Sequence, residues 1–503
     1  MRVLLIYPEF PDTFWSFKHA LKFVSKKSAS PPLGLITVAA MLPRDWELRL
    51  IDLAVKPLTD EDLAWADYAF ISAMIIQRDS AREVAARCKA AGVKTVAGGP
   101  LFTYEYEDFP EIDHFVLNEA EVTLPSFLAD LANGQPKRLY TSSEFADLTL
   151  TPAPRWDLLD LKQYSSANIQ YSRGCPFNCD FCNVTALFGH VPRTKSAQQV
   201  INELQAIYDA GWRSGTVFFV DDNFIGNKKK LKREILPAII EWRKDKKSLS
   251  LMTEVSINIA DDEELLDLMV KAGFNSIFVG IETPNEESLA ECGKGQNRGR
   301  NLIENIKRLH QKGLQVAGGF IVGFDSDPLS IFEQQIQFIQ NSGIVTAMVG
   351  LLQAPPGTQL YERLKREGRL LGAITGDNCD STINFIPKMN WETLFEGYRR
   401  VLGEIYSPRG YYERVKTMLK DITPSPYVRT PISFEHIVAF FKSIYLIGIK
   451  SAERFHYWRL FFWTLFRRPK LFALAITMSV YGYHFRRIYE ANVLKRQEQT
   501  AKS

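Results

Sequence analysis

The chain has 503 residues, of which 46% are hydrophobic and 24% charged, and its formal net charge is +3. This ordinary composition excludes a disordered chain, and so small a charge on so long a chain argues against a dedicated nucleic-acid binder. Six cysteines are too few for a disulfide scaffold and point to a reduced, cytoplasmic setting, while the length suits about three domains.

The first third alternates short apolar runs with helical patterns, the sign of a parallel sheet. The opening run to Tyr7 is too short for a signal peptide and reads as a first buried strand. Further strands are expected at 47–52, 68–73, 93–97 and 114–117, with helices near 33–42, 80–91 and 123–132. Residues 1–135 therefore read as an open, doubly wound, Rossmann-like domain. In such sheets ligands sit beyond the carboxyl ends of the strands, where Pro8, Ser72-Ala73 and Gly98-Gly99-Pro100 fall. Glycines there let backbone approach a ligand closely, although Gly-Gly-Pro after a strand is equally a plain turn. Glu9-Phe-Pro-Asp-Thr-Phe14-Trp15-Ser-Phe17 adds four aromatics beside that edge, as packing for the next domain or as a wall for an apolar ligand. Residues 136–165, with Pro136, Pro152 and Pro154, read as a linker carrying a docking segment at Trp156–Asp160.

From 166 to 385 a strand-then-helix rhythm resumes, with strands expected at 168–172, 216–220, 249–255, 276–279, 316–321 and 345–352. Six such units indicate a partial (β/α)6 barrel. The loop after its first strand is Cys175-Pro-Phe-Asn-Cys179-Asp-Phe181-Cys182. Thiolates at this density repel one another unless a metal or cluster holds them, and with no evident fourth ligand one coordination position stays open. A zinc knuckle completed by His190, or a chance grouping, is the alternative. Barrel enzymes place their chemistry at the carboxyl ends of strands. Asp221-Asp222-Asn223, Gly280-Ile-Glu282-Thr283, Gly323-Phe-Asp325 and Gln353-Ala-Pro-Pro-Gly357 all fall on that rim. Paired aspartates after a strand are also a common helix cap, and Glu282 is as readily a partnered surface acid.

The last quarter, 386–503, loses the strand signal and becomes mainly helical. Residues 430–503 hold 12 Lys and Arg against 4 Asp and Glu. Arg454-Phe-His-Tyr-Trp-Arg459-Leu-Phe-Phe-Trp463 and Phe466-Arg-Arg-Pro469 mix cations with aromatics, the composition of an interfacial helix. A helical cap with its aromatics on the barrel and its arginines in water gives the same pattern. The longest apolar run, Leu471–Tyr483, is too short to span a bilayer, so the membrane reading is peripheral contact at the inner face. Residues 497–503 are expected to fray.

The C-x3-C-x2-C spacing, with Phe181 before the third cysteine, resembles the cluster loop of the radical S-adenosylmethionine (SAM) enzymes. The open α/β domain ahead of it resembles the cobalamin (B12)-binding domain of that family's class B members, through Pro32-Leu-Gly34, Ile71-Ser72-Ala73, Gly98-Gly99-Pro100 and Asn118-Glu119-Ala-Glu121. The resemblance implies a [4Fe–4S] cluster on Cys175, Cys179 and Cys182 whose fourth iron binds SAM, and cobalamin contacts at Ser72, Gly98 and Gly99. It assigns the SAM amino group to Asp221 and Asp222, the ribose to Glu282, and the adenine to Phe181, Gly318, Gly319 and Gly323. Asn118 stands where the family has glycine, and Asp221-Asp222-Asn223 lacks the glycines of the family's Gly-Gly-Glu motif. The D-x-H-x-x-G signature is also absent, so no histidine from that motif reaches cobalt. Pro11-Asp-Thr-Phe-Trp15-Ser-Phe17, Leu187-Phe-Gly-His-Val-Pro192-Arg-Thr and Val220-Asp-Asp-Asn-Phe-Ile-Gly226-Asn resemble the hopanoid C-2 methylase type, a branch with an extra helical C-terminal domain. The implied activity is C-methylation: a 5′-deoxyadenosyl radical opens an unactivated carbon of an apolar or lipid small molecule, and methylcobalamin supplies the methyl group. Flavodoxin or ferredoxin is the implied electron donor, with no nucleic-acid partner. Rearrangement, cyclisation or C–C coupling with the same cofactors is the alternative, and a non-catalytic cobalamin or redox sensor a third reading.

Overall fold

The computed structural model describes residues 1–500 apart from Asn378 and Thr430, with side chains to Ala491; of the stretch 497–503 expected to fray, 497–500 end the last helix and 501–503 lie outside the described residues. Six parallel strands, β1 (Arg2–Tyr7), β2 (Glu47–Asp52), β3 (Tyr68–Ser72), β4 (Lys94–Gly98), β5 (His114–Val116) and β6 (Leu139–Tyr140), form the first sheet in the order β2-β1-β3-β4-β5-β6. Val3 to Ile6 are all fully buried, as a strand covered by helices on both faces requires. Val3 and Leu5 enter the main core, while Leu4 and Ile6 enter a second core under the opposite face. Strand order reverses between β1 and β3, so the ligand crevice opens beyond Tyr7 and Ser72. Strand β6 lies in the stretch expected to be a linker and pairs with β5 at Phe115↔Leu139 and Val116↔Tyr140. Two residues are too few to show a periodicity.

The second sheet runs in chain order: β7 (Ser166–Ile169), β10 (Gly215–Phe219), β11 (Leu249–Val255), β12 (Phe274–Glu282), β13 (Gln315–Val322) and β14 (Ala347–Leu351), all parallel. Between β7 and β10 a short antiparallel ribbon is formed by β8 (Ser172–Arg173) and β9 (Arg193–Thr194). This is the expected (β/α)6 partial barrel. Alternation along β11 is strict: Leu249, Leu251, Thr253 and Val255 are buried against the helices, while Ser250, Met252 and Glu254 turn into the barrel lumen.

The aromatic loop after β1 packs on both of the other regions. Trp15 reaches the lumen, its Nε1 donating to Sδ of Met348 (2.9 Å) and its ring edge-on to Phe278 (5.5 Å). Phe14 instead stacks on Phe485 (4.2 Å) of the long helix Phe472–Thr500. Four more helices, Trp391–Ile405, Pro408–Asp421, Phe434–Ser443 and Arg454–Arg467, complete the C-terminal region. The fully buried Arg414 fastens it to the barrel, donating to Gln340 Oε1 (2.7 Å) and to the Ile405 carbonyl (2.8 Å). No helix among the described residues is long and apolar enough to cross a membrane.

Candidate active site

Pairing of Ser172 with Thr194 and Arg173 with Arg193 makes residues 174–192 a loop closed at its neck. Gly174 turns into this loop at φ +93°, where a Cβ would meet the Phe188, Gly189 and Val191 carbonyls at 3.0 Å, so glycine is required. Cys175, Cys179 and Cys182 are half-buried free thiols on it. Burial raises the pKa of all three, and Cys182, to which its two companions add, is pushed up to about 12. Bare thiolates are therefore unfavourable here, and this donor set asks for a cationic metal centre. Asn223 Nδ2 and Gln296 Nε2 point at the sulfurs of Cys175 (3.8 Å) and Cys179 (3.9 Å), the outer-shell donors that tune cluster sulfurs. His190 is exposed, and among the described residues no three His, Cys, Asp or Glu side chains converge on a single ion. The set suits a multi-iron cluster better than one zinc.

The two rim aspartates, equal in sequence, differ in place. Asp221 is fully buried and accepts from Tyr171 N (3.1 Å), Ser172 Oγ (2.5 Å) and Ser172 N, holding the backbone that leads into the cysteine loop. Asp222 has a buried Oδ2 with no hydrogen-bond partner, and burial lifts its carboxyl to about 6. An acceptor left bare on the rim fits an incoming N–H donor such as an ammonium group. Glu254 joins them from the lumen, pushed up to about 8 by burial and by the charges of Asp222 and Asp221. No sequence signal singled it out, since it occupies an ordinary inward position of an apolar strand.

Glu282 ends β12 at a register shift against β13 and adopts φ +64°, the left-handed region. A bulge and a strained residue together re-aim a side chain, and such strain gathers at functional sites. Asn297 Nδ2 holds the carbonyls of Gly280 (3.0 Å) and Ile281 (2.9 Å), and Gln335 Nε2 that of Glu282 (3.0 Å). The Glu282 carboxylate accepts from Lys294 Nζ (2.6 Å), a residue absent from the expected site. Lys294 also lies close enough to all three cysteines for its charge to act on them. A Cβ on Gly280 would lie 2.7 Å from that Nζ, so glycine makes room for the pair. Phe181 packs edge-on to Phe324 (6.1 Å), beside Gly323. Gly318 and Gly319 lie mid-strand, short of the rim. A Cβ there would press on Phe320 and Ile344, or on Phe278, so packing already uses their missing side chains. Asp325 is held by Arg369 (2.7 Å) and Arg363 (2.8 Å).

At the edge of the first sheet, Gly99 adopts φ +95°, and a Cβ would lie 3.0 Å from both Ser72 Oγ and the Ala73 carbonyl; one on Gly98 would lie 2.7 Å from the Val116 carbonyl. Gly98 and Gly99 thus form a glycine shelf beside Ser72, close-packed where a Cβ would stand. Asn118 sits at φ +63°, so the residue standing where glycine was expected still takes glycine's conformation, as asparagine can. The acids that follow it do something unforeseen. Glu119 accepts from Arg173 (2.7 Å) and Arg193 (2.9 Å), and Glu121 from Arg173 (2.8 Å). Both arginines stand at the neck of the cysteine loop, so this buried clasp joins the glycine shelf's sheet to that loop.

Residues 24–128 match a B12 binding domain, 169–339 the radical SAM superfamily and 358–499 a domain of unknown function. The chain is 40% identical to an uncharacterized methyltransferase of Synechocystis sp. (96% of this chain, 91% of that one). It is 33% identical to the hopanoid C-2 methylase of Rhodopseudomonas palustris (91% and 88%). This chain belongs to the radical SAM superfamily, in the branch with a B12-binding domain. Its fold matches solved cobalamin-dependent members of that superfamily. OxsB with aqua-cobalamin aligns at TM-score 0.62 with 15% identity (98% of this chain, 81% of that one). TsrM of Kitasatospora setae, with cobalamin and a [4Fe–4S] cluster, aligns at 0.59 with 14% (97% and 99%). A radical SAM enzyme with this domain uses a [4Fe–4S] cluster, SAM and cobalamin, and the cysteine loop, bare Asp222 oxygen and glycine shelf fit those three groups.

Proposed function

We propose that this radical SAM enzyme is a C-methyltransferase acting on an unactivated carbon of an apolar small molecule. The observation that carries the reading is the clasp, which brings a shelf fit for cobalamin beside a rim fit for SAM. The rim faces a lumen walled by Trp15, Phe278 and Met348, and apolar walls suit an apolar substrate. The methyltransferase names of the two relatives point the same way.

When bound, the cofactors supply reductive cleavage of SAM and a methyl group, and the protein supplies binding, orientation and a dry chamber. In this reading Cys175, Cys179 and Cys182 hold the cluster, and Asp222 accepts from the SAM amino group. Asp221 positions the loop rather than touching ligand. Glu282, fixed by Lys294, accepts from the ribose hydroxyls, and Phe181 and Gly323 border the adenine. Ser72, Gly98 and Gly99 underlie the corrin. A flavodoxin- or ferredoxin-type protein delivers the electron. The enzyme meets its substrate at a membrane surface, with the C-terminal helices as the contacting part.

Anaerobic turnover with methyl-labelled SAM tests the reading: product carrying one labelled methyl group is expected. A product without label, formed together with 5′-deoxyadenosine, would move the assignment to rearrangement, cyclisation or C–C coupling. Gly99→Ala imposes a positive φ on an L-residue and drives its methyl group to 3.0 Å from Ser72 Oγ and the Ala73 carbonyl, so that Ser72 and the shelf must shift. Because relief of that clash displaces Ser72 and the shelf, cobalamin content measured by absorbance is expected to fall about tenfold, equivalent to about 1.4 kcal/mol of binding, while iron content stays.

A further inference from the structure

We propose that the hairpin of helices Phe434–Ser443 and Arg454–Arg467 is a docking face for an anionic lipid bilayer. This deepens the membrane reading above by naming the face, and it does not depend on methyl transfer. The first helix continues through a wider turn to Ile449, and along it Phe434, Ile437, Phe441, Tyr445 and Ile449 recur every three or four residues, all exposed. On the second helix Phe455, Phe462, Leu465 and Phe466 are exposed too. The extremes are Phe434 at 80%, Phe466 at 77% and Phe455 at 73%. Opposite faces of the same helices are buried, at Ser443, Ile447 and Gly448 and at Tyr457, Leu460 and Thr464. Ser443 Oγ and the Tyr457 hydroxyl, 2.9 Å apart, tie the two helices together, so both apolar stripes look away from the protein. Folded monomers rarely expose so large an apolar surface unless something covers it. A helical cap would turn these aromatics inward.

Charge selects the occupant. Lys450, Arg454, Arg467 and Lys470 are exposed on or beside the face, and none has an ion-pair partner among the described residues. Lys450 lies over the Tyr445 ring (4.5 Å) and Arg454 over Phe455 (4.9 Å). Glu453 does not offset them, because it is buried and paired with Arg486. Glu435 is engaged by Lys26 (3.4 Å). Apolar rings rimmed by free cations fit acyl chains beneath anionic headgroups. With no helix able to span, the hairpin lies in the plane of the interface. Beneath it Phe440 and Phe461 contact Phe472 (6.1 and 4.9 Å), which begins the helix whose Phe485 stacks on Phe14, the neighbour of the lumen residue Trp15. The hairpin and the loop carrying Trp15 thus pack on two points of the same long helix.

Flotation of the cofactor-loaded enzyme with vesicles tests this. Binding is expected to phosphatidylcholine containing about one third phosphatidylglycerol, and to drop about tenfold or more for pure phosphatidylcholine or at about 0.5 M salt. The triple variant Phe434→Ser, Phe441→Ser, Phe466→Ser is expected to keep its iron and cobalamin and lose vesicle binding by at least ~10-fold. The variant Arg454→Glu, Arg467→Glu, Lys470→Glu is expected to lose the preference for the anionic lipid. Failure of the native enzyme to float, or flotation unchanged in these variants, overturns the proposal. So does a dimer by light scattering that the phenylalanine variant dissociates, since a second copy then covers the face. Should the triple variant not fold, hydrogen exchange of native residues 434–449 decides: slowing on anionic vesicles supports the proposal, and no slowing overturns it.

Discussion

Cys182→Ala enzyme, reconstituted anaerobically with iron and sulfide, is expected to hold no [4Fe–4S] cluster and to form no 5′-deoxyadenosine, with turnover lower by about 10³-fold or more. Three protein thiolates are the fewest that hold a cubane with one iron left open, so losing one leaves two irons without protein ligands. The fold should barely notice. Cys182 is a half-buried thiol whose pKa is pushed up to about 12, and without metal it is a neutral, weakly polar side chain for which alanine is a small change. Cobalamin content should stay close to native, because Ser72, Gly98 and Gly99 belong to the other sheet. Iron and cobalamin per chain, with the electron paramagnetic resonance of the reduced protein, give the result directly. Retention of a normal cluster would remove Cys182 from the ligand set.

Arg173→Ala is expected to act on both cofactor regions at once. Side-chain exposures are 13% for Arg173, 3% for Glu119 and 9% for Glu121. Removing one partner from so buried a set leaves charge without compensation, at about 3–5 kcal/mol. Glu119 keeps Arg193, whereas Glu121 loses the one arginine it pairs with among the described residues, so the loss falls mainly on Glu121. Arg155→Ala makes the control: its pair with Asp157 is 42% and 61% exposed, and such surface pairs contribute about 0–1 kcal/mol. Denaturant melts of the two variants should differ accordingly, and a cycle with Glu121→Gln should show coupling above about 1 kcal/mol. Iron and cobalamin should decline together in Arg173→Ala, unlike the separation expected for Cys182→Ala. A melt unchanged by Arg173→Ala would mean the clasp adds no net stability.

Much of the fold was legible because its strands are either continuous apolar runs or strict alternations. Strand β11 spans Leu249–Val255, where the pattern put it, since a period of two over seven residues has one reading. Strand β6 and the short helices Lys18–Val24 and Asp60–Trp65 were not, since two to seven residues carry too little periodicity. The site divides similarly. The cysteine loop is local in sequence and visible there. The Glu282–Lys294 pair depends on a bulge that no composition announces. Glu119 and Glu121 were read with the corrin-binding segment, yet their partners lie more than fifty residues away, a closeness only the packed fold creates. Asp221 and Asp222 are chemically identical neighbours, and only the backbone decides which one is already satisfied.

The loop from Pro8 to Phe17 leaves the strand that borders one ligand crevice and delivers Trp15 into the lumen of the other module. The two modules of this chain are therefore not freely interchangeable parts. A chimera that joins this barrel to another protein's first domain would inherit a foreign segment against Met348 and Phe278. Carrying residues 8–17 across with the barrel, together with the facing end of the last helix, is the graft that keeps the chamber native.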